Sequence, residues 1–174
     1  MLIENNGRPY GRYRRRAALG AAAAGLLAFS AAPAVSAGGP FQGLEGVWGG
    51  NGVVTYSSGT KERLRCRVQY TLSNENSISQ ALRCASDSYN FQINAIYVHK
   101  DGAITGRWDE KYLEVSGTIT GTASAGLISG NLHGPGFLAA VEVNTTGNMQ
   151  TVTIAAEGQD IKEVAVEVKK ATAN

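Results

Sequence analysis

The stretch Arg63-Leu64-Arg65-Cys66-Arg67-Val68-Gln69-Tyr70-Thr71-Leu72 decides the fold. Leu64, Cys66, Val68, Tyr70 and Leu72 take every second position. Arg63, Arg65, Arg67, Gln69 and Thr71 stand between them. Successive side chains of a strand point to opposite faces of a sheet, so this is a strand with one apolar and one charged face.

The pattern repeats on both sides. Gly, Thr, Val and Ile dominate after Gly38, helical periodicity is absent, and turn signals recur about every 10 residues. Strands are predicted over 46–56, 61–72, 78–85, 89–99, 103–110, 113–123, 127–133, 137–145, 149–156 and 161–169. Asp101-Gly102 suits a type I′ hairpin and Pro135-Gly136 a type II turn. Thr146-Gly147-Asn148 and Gly158-Gln159-Asp160 are further turns.

A one-residue slip in a hairpin reverses every side chain of the next strand, so the turns can be tested for consistency. Pairing about Glu75 sets Leu72 opposite Ile78, Val68 opposite Leu82 and Cys66 opposite Cys84. Pairing Asp109 with Tyr112 sets Trp108 opposite Leu113 and Gly106 opposite Val115. A two-residue turn at Ser124-Ala125 carries the apolar face from Ile119 and Gly121 to Ile128 and Gly130. It continues through Phe137, Ala139, Val141 and Val143, then Val152 and Ile154, then Val164, Val166 and Val168. A long antiparallel meander with one apolar face must close, since open edges invite aggregation. The expectation is an all-β fold, an up-and-down barrel of eight to ten strands, with a two-sheet sandwich as the alternative. Glu114, Ser116, Thr118, Thr120 and Thr122 fall on the outward face, unlike the lipid-facing surface of an outer-membrane barrel.

The formal net charge of +2 is not a property of this barrel. Arg8, Arg12, Arg14, Arg15 and Arg16 precede the Ala- and Leu-rich run 17–32, and Ala34-Val35-Ser36-Ala37 follows. Positive, apolar and small-residue segments in that order predict a signal peptide over 1–37, cleaved after Ala37 or, alternatively, Ala34. Arg15-Arg16 also permits a twin-arginine signal beside ordinary secretion. The remaining domain, 38–174, holds 11 basic and 13 acidic residues, a net charge of −2. Nucleic-acid binding is therefore not expected. No apolar run there approaches the ~18 residues of a membrane span. Cys66 and Cys84 are predicted to form a structural disulfide, in keeping with a periplasmic or secreted bacterial protein.

Gly46-Val47-Trp48, followed by a meander ending in Lys169 and Lys170, resembles the calycin group of lipocalin- and avidin-type barrels. The resemblance implies that Trp48 packs at the closed barrel end against a basic side chain of the last strand, Lys169. The second and third lipocalin blocks and the avidin tryptophans are missing. The segments 82–88 and 104–108 resemble secreted proteobacterial proteins of unassigned function.

Sequence motifs for hydrolases, zinc proteases, phosphate loops and dinucleotide folds are absent, so no catalytic residue, metal or cofactor is expected. Asp109 and Glu110 read as turn formers, and His99 as facing a barrel mouth. Small inward residues such as Gly106 and Gly117 leave either a cavity or room for large neighbours. The leading reading is a non-catalytic binding protein for a small, largely apolar ligand, contacted by Trp48, Tyr70, Tyr97, Trp108 and Gln80. The alternative is a filled barrel that acts as a cell-envelope interaction module. It would use an anion- or partner-binding face of Arg63, Arg65, Arg67 and Arg83.

Overall fold

The computed structural model describes residues 39–156 and 158–172. The predicted signal peptide lies outside the described residues. Ten antiparallel strands follow one another: β1 (Gly46–Tyr56), β2 (Lys61–Asn74), β3 (Ser77–Ala85), β4 (Asn90–Lys100), β5 (Ala103–Glu110), β6 (Val115–Ser124), β7 (Leu127–Gly134), β8 (Phe137–Thr146), β9 (Met149–Ala156) and β10 (Ile161–Lys170). Each strand pairs with its neighbour in sequence, and β10 returns to β1, so the sheet is a closed barrel. Closure leaves no free edge and removes the sandwich alternative.

Most of the register follows the turn chemistry. Leu72 faces Ile78, Val68 faces Leu82 and Cys66 faces Cys84. Asp101 and Gly102 both adopt positive φ, 51° and 82°, as a type I′ turn requires. Gly134 faces Phe137 across the turn at Pro135-Gly136.

Two predicted turns are displaced. The Ser124-Ala125 turn sits one residue later, at Ala125-Gly126, because Gly126 supplies a φ of 79°. Glu110 pairs with Val115, so Trp108 faces Gly117 rather than Leu113, and Gly106 faces Ile119 rather than Val115. The cause is a four-residue loop in place of a tight turn. Glu110 holds it by accepting from Leu113 N–H at 2.6 Å, and Glu114 turns it at a φ of 53°. Glu114 therefore belongs to the loop, not to the outward face of β6. Both displacements move the pairing by an even number of residues, so the apolar face still points inward.

The two barrel ends differ. Turns 39–45 cross the end where β1 begins, with Phe41 and Leu44 buried in the core beside Trp48, Ile78 and Ile104. Gln42 N–H donates to the Gly39 carbonyl and Leu44 N–H to that of Phe41, which coils this segment into a plug. At the other end, the β5–β6 loop leaves Leu113 and Tyr112 70% and 61% exposed.

Candidate functional site

The barrel encloses a cavity of about 280 Å³. Its wall is mostly aliphatic: Val68, Leu82, Ile119 and Leu132 at mid-height, and the valines of β8, β9 and β10 opposite. That face exists because inward positions of those strands are β-branched, which suits a pleated, half-buried surface. Leu113, Phe91 and Val115 lie toward the end opposite the plug, and the exposure of Leu113 marks that end as the mouth.

Polar atoms are few and mostly paired. Tyr70 Oη donates to Gln150 Oε1 at 3.0 Å, and Gln150 Nε2 donates to Thr145 Oγ1 at 3.0 Å. Tyr97 Oη donates to Gln80 Oε1 at 2.9 Å. Burial pushes the Tyr70 and Tyr97 phenols well above their ordinary value, so both stay neutral. Glu110 is 5% exposed and lines the lumen, but its two oxygens already accept from Gln92 N–H at 2.9 Å and Leu113 N–H at 2.6 Å. Among the described residues no Lys, Arg or His lines the cavity.

Trp108 is the exception. Its side chain is 7% exposed, and the indole Nε1 is buried with no hydrogen-bond partner. An unpaired buried donor costs about 1–3 kcal/mol, so few persist without a use. The ring is held on both sides. Phe137 packs with its centroid 5.7 Å away. Gly117 lies directly across the ladder, and a Cβ there would come within 2.8 Å of the indole. The same device recurs nearby. Tyr97 lies over Gly106, where a Cβ would meet the ring at 3.2 Å, and Phe137 lies over Gly134. Glycines on the inner wall thus seat aromatic rings against bare backbone.

The proposed ligand residues divide. Tyr70, Tyr97, Trp108 and Gln80 line the one cavity. Trp48 does not. It is fully buried below the lumen floor, its Nε1 donating to the Leu44 carbonyl at 2.7 Å. The basic partner over its ring is Lys170, 5.6 Å from the centroid, not Lys169. Lys170 is the residue paired with Trp48, whereas Lys169 pairs with Gly49 and has outward parity. Lys170 Nζ also donates to the Gly43 carbonyl at 2.9 Å, tying the plug to the last strand. His99 lies at the plugged end, not at the mouth. Its Nε2 accepts from Gly102 N–H at 3.1 Å, its Nδ1 faces Asn76 Oδ1 at 3.1 Å, and Phe41 packs edge-on at 6.4 Å.

Cys66 and Cys84 are disulfide-bonded on the inner wall. The bridge fits an oxidising, exported setting. Arg63, Arg65, Arg67 and Arg83 are exposed on the outer face of the same hairpin. Gln150, 1% exposed, was not among the expected site residues. Its signal was present, since it shares the inward parity of Val152 and Ile154. Glu110 likewise shares the inward parity of Gly106 and Trp108; what had no signal is its hold on Leu113 N–H, which depends on the loop that follows.

No protein-family model and no curated protein matches the chain in sequence. Solved structures do match its fold. The crystal structure of Rv2717c from M. tuberculosis aligns with a TM-score of 0.60 at 12% identity, covering 76% of this chain and 95% of that one. The S-type phycobiliprotein lyase CPES from Guillardia theta aligns at 0.53 and 13% identity, covering 77% and 92%. At such identities the likeness is one of fold alone.

Proposed function

We propose that this chain is an exported, non-catalytic binding protein of the bacterial cell envelope, periplasmic or secreted, whose barrel holds one small, uncharged, largely apolar ligand. One observation carries the reading: an apolar lumen open at one end, lined by Trp108, whose indole N–H is, among the described residues, the one fully buried side-chain polar group left unpaired. A ligand carbonyl, ether or ring nitrogen is the acceptor that this donor lacks. The cavity volume is near the lower end of ligand sites, about 300–1,000 Å³, which favours a compact ring compound over a long acyl chain.

The charge of the ligand follows from the lining. An anion would enter a low-dielectric lumen without a cation to receive it, beside the Glu110 carboxylate. The Tyr70 and Tyr97 hydroxyls are committed to Gln150 and Gln80 and donate nothing more. Catalysis finds no support, since the one carboxylate described in the lumen is engaged by two backbone amides. A phycobiliprotein lyase shares the fold, but one fold serves many tasks, and the residues lining the lumen decide what it holds.

The test is native mass spectrometry of protein purified from its own host. Thermal shifts follow with matched pairs, each a neutral aromatic ketone and its carboxylate analogue. A co-purifying neutral mass, or a shift with the ketones alone, is expected. No co-purifying mass and no shift with any compound overturns the proposal.

A further inference from the structure

The geometry points to a second site, on the outer wall of the barrel, for the phosphate or sulfate group of an organic ester. It is independent of what the lumen holds. One row across β10, β1, β2, β3 and β4 reads Lys169, Gly49, Arg67, Arg83, Gln92. Three of its five positions are cationic and none is acidic. Arg67 and Arg83 are direct partners, and like charges facing each other across a ladder are destabilising. The next row contributes Arg65, opposite Asn51 and Ala85, with Glu167 on the far side of Asn51.

Of these side chains, Arg65, Arg67 and Arg83 border a groove of about 490 Å³ on the sheet surface. Its lining includes Arg65, Arg67, Arg83, Asn90, Tyr112 and the backbone of Gly49, and no carboxylate. Packing does not impose the glycine. A Cβ at Gly49 would meet only the Cys66 carbonyl oxygen, at an ordinary 3.8 Å. The groove therefore has a bare floor between Lys169 and Arg67 where a side chain would fit. Guanidinium forks match tetrahedral oxyanions in bidentate geometry, and an oxyanion between Arg67 and Arg83 turns their repulsion into two charge-assisted contacts. The groove exceeds the size of a bare ion. The Tyr112 ring, 61% exposed, offers a wall for the organic part of the ester.

The ester could be a soluble metabolite or a lipid headgroup, and the experiment separates them. Thermal shift and titration calorimetry at low salt use phenyl phosphate, glycerol 3-phosphate and inorganic phosphate. Cosedimentation uses phosphatidylcholine vesicles with and without phosphatidylglycerol. Saturable binding of either source is expected, weakened by salt, and phenyl phosphate should bind more tightly than inorganic phosphate. Arg67→Gln or Arg83→Gln should lower affinity at least tenfold and raise the thermal midpoint of the free protein, because repulsion is relieved. Gly49→Glu places a carboxylate over the floor, and should also raise the midpoint while abolishing the response. Lys100→Gln, at the plugged end, should change neither. The inference is overturned if no soluble ester and no vesicle binds. It is equally overturned if the arginine variants bind like the parent protein, or if Gly49→Glu lowers the midpoint and still binds.

Discussion

Two buried tryptophans with opposite hydrogen bonding allow a direct test of the lumen. Trp48 is 0% exposed and Trp108 is 7% exposed, so Trp→Phe removes similar buried area at each, about 1–2 kcal/mol of transfer free energy. The indole nitrogens differ. At Trp48 the substitution deletes a 2.7 Å bond and leaves the Leu44 carbonyl short of its donor, a further loss of about 1–3 kcal/mol. At Trp108 it deletes a donor that has no partner, which returns about 1–3 kcal/mol. Trp48→Phe should therefore destabilise by about 3 kcal/mol. Trp108→Phe should stay within about 1 kcal/mol of the parent. The assay is urea unfolding of ligand-free protein followed by far-ultraviolet circular dichroism, with midpoints compared at equal slope. Ligand then reverses the ranking: Trp108→Phe should lose about tenfold in affinity for a neutral ketone, and Trp48→Phe should keep it. Equal destabilisation by the two substitutions would mean that Trp108 Nε1 is already bonded in the empty barrel. Trp108 Nε1 would then have no need of a ligand acceptor.

Gly117→Ala tests the aromatic seat. Its Cβ would press on the His133 carbonyl and come within 2.8 Å of the Trp108 ring, so a loss of about 1–3 kcal/mol in urea unfolding is expected. A loss below about 0.5 kcal/mol would show that the ring does not rest on that backbone. Replacing Cys66 and Cys84 together with Ala opens a loop with a separation of 18 residues and should cost about 3 kcal/mol. Alkylation of the parent protein without reductant should add no mass, and two labelled thiols would contradict the bridge. Alkaline titration tests the buried phenols. Unfolded tyrosine releases its proton near pH 10, whereas burial holds Tyr97 neutral above that, so the unfolded chain binds fewer protons there. Stability should fall as pH rises past about 10, and Tyr97→Phe should flatten the fall. An unchanged slope in that variant would place the phenol in contact with water.

The sequence carried the fold where local chemistry sets the geometry. Alternation over 64–72 fixed one face of β2, and Asp101-Gly102 and Pro135-Gly136 fixed their hairpins because those residues reach the required φ cheaply. It did not carry the plug. Phe41 and Leu44 lie in turns ahead of the first strand, and their burial is a tertiary contact with Trp48 and its neighbours. Nor did it carry the β5–β6 loop. That loop is closed by a side-chain carboxylate capping two backbone amides and by a non-glycine residue at positive φ, neither of which is a standard turn signal.

The error at that loop shows which part of a site parity can locate. A shift by an even number of residues leaves every side chain on its face, so Trp108, Tyr97 and Tyr70 still point inward despite the wrong turn. Parity thus identified the lumen lining without the register. What it could not identify is the direct neighbour. With Leu113 opposite, Trp108 would be one more packed aromatic. With Gly117 opposite, the indole lies against the β6 backbone, braced by Phe137 and with its N–H unpaired. The chemistry of the lumen depends on that pairing, and the pairing depends on Glu110 lengthening one loop. Loosening the loop by Glu110→Ala should therefore change the lumen before it changes the fold. It should reduce near-ultraviolet circular dichroism of the Trp108–Phe137 pair while far-ultraviolet signal persists. If both signals were lost together on heating, at the same reduced midpoint and with native spectra before it, Glu110 would be a stability element only.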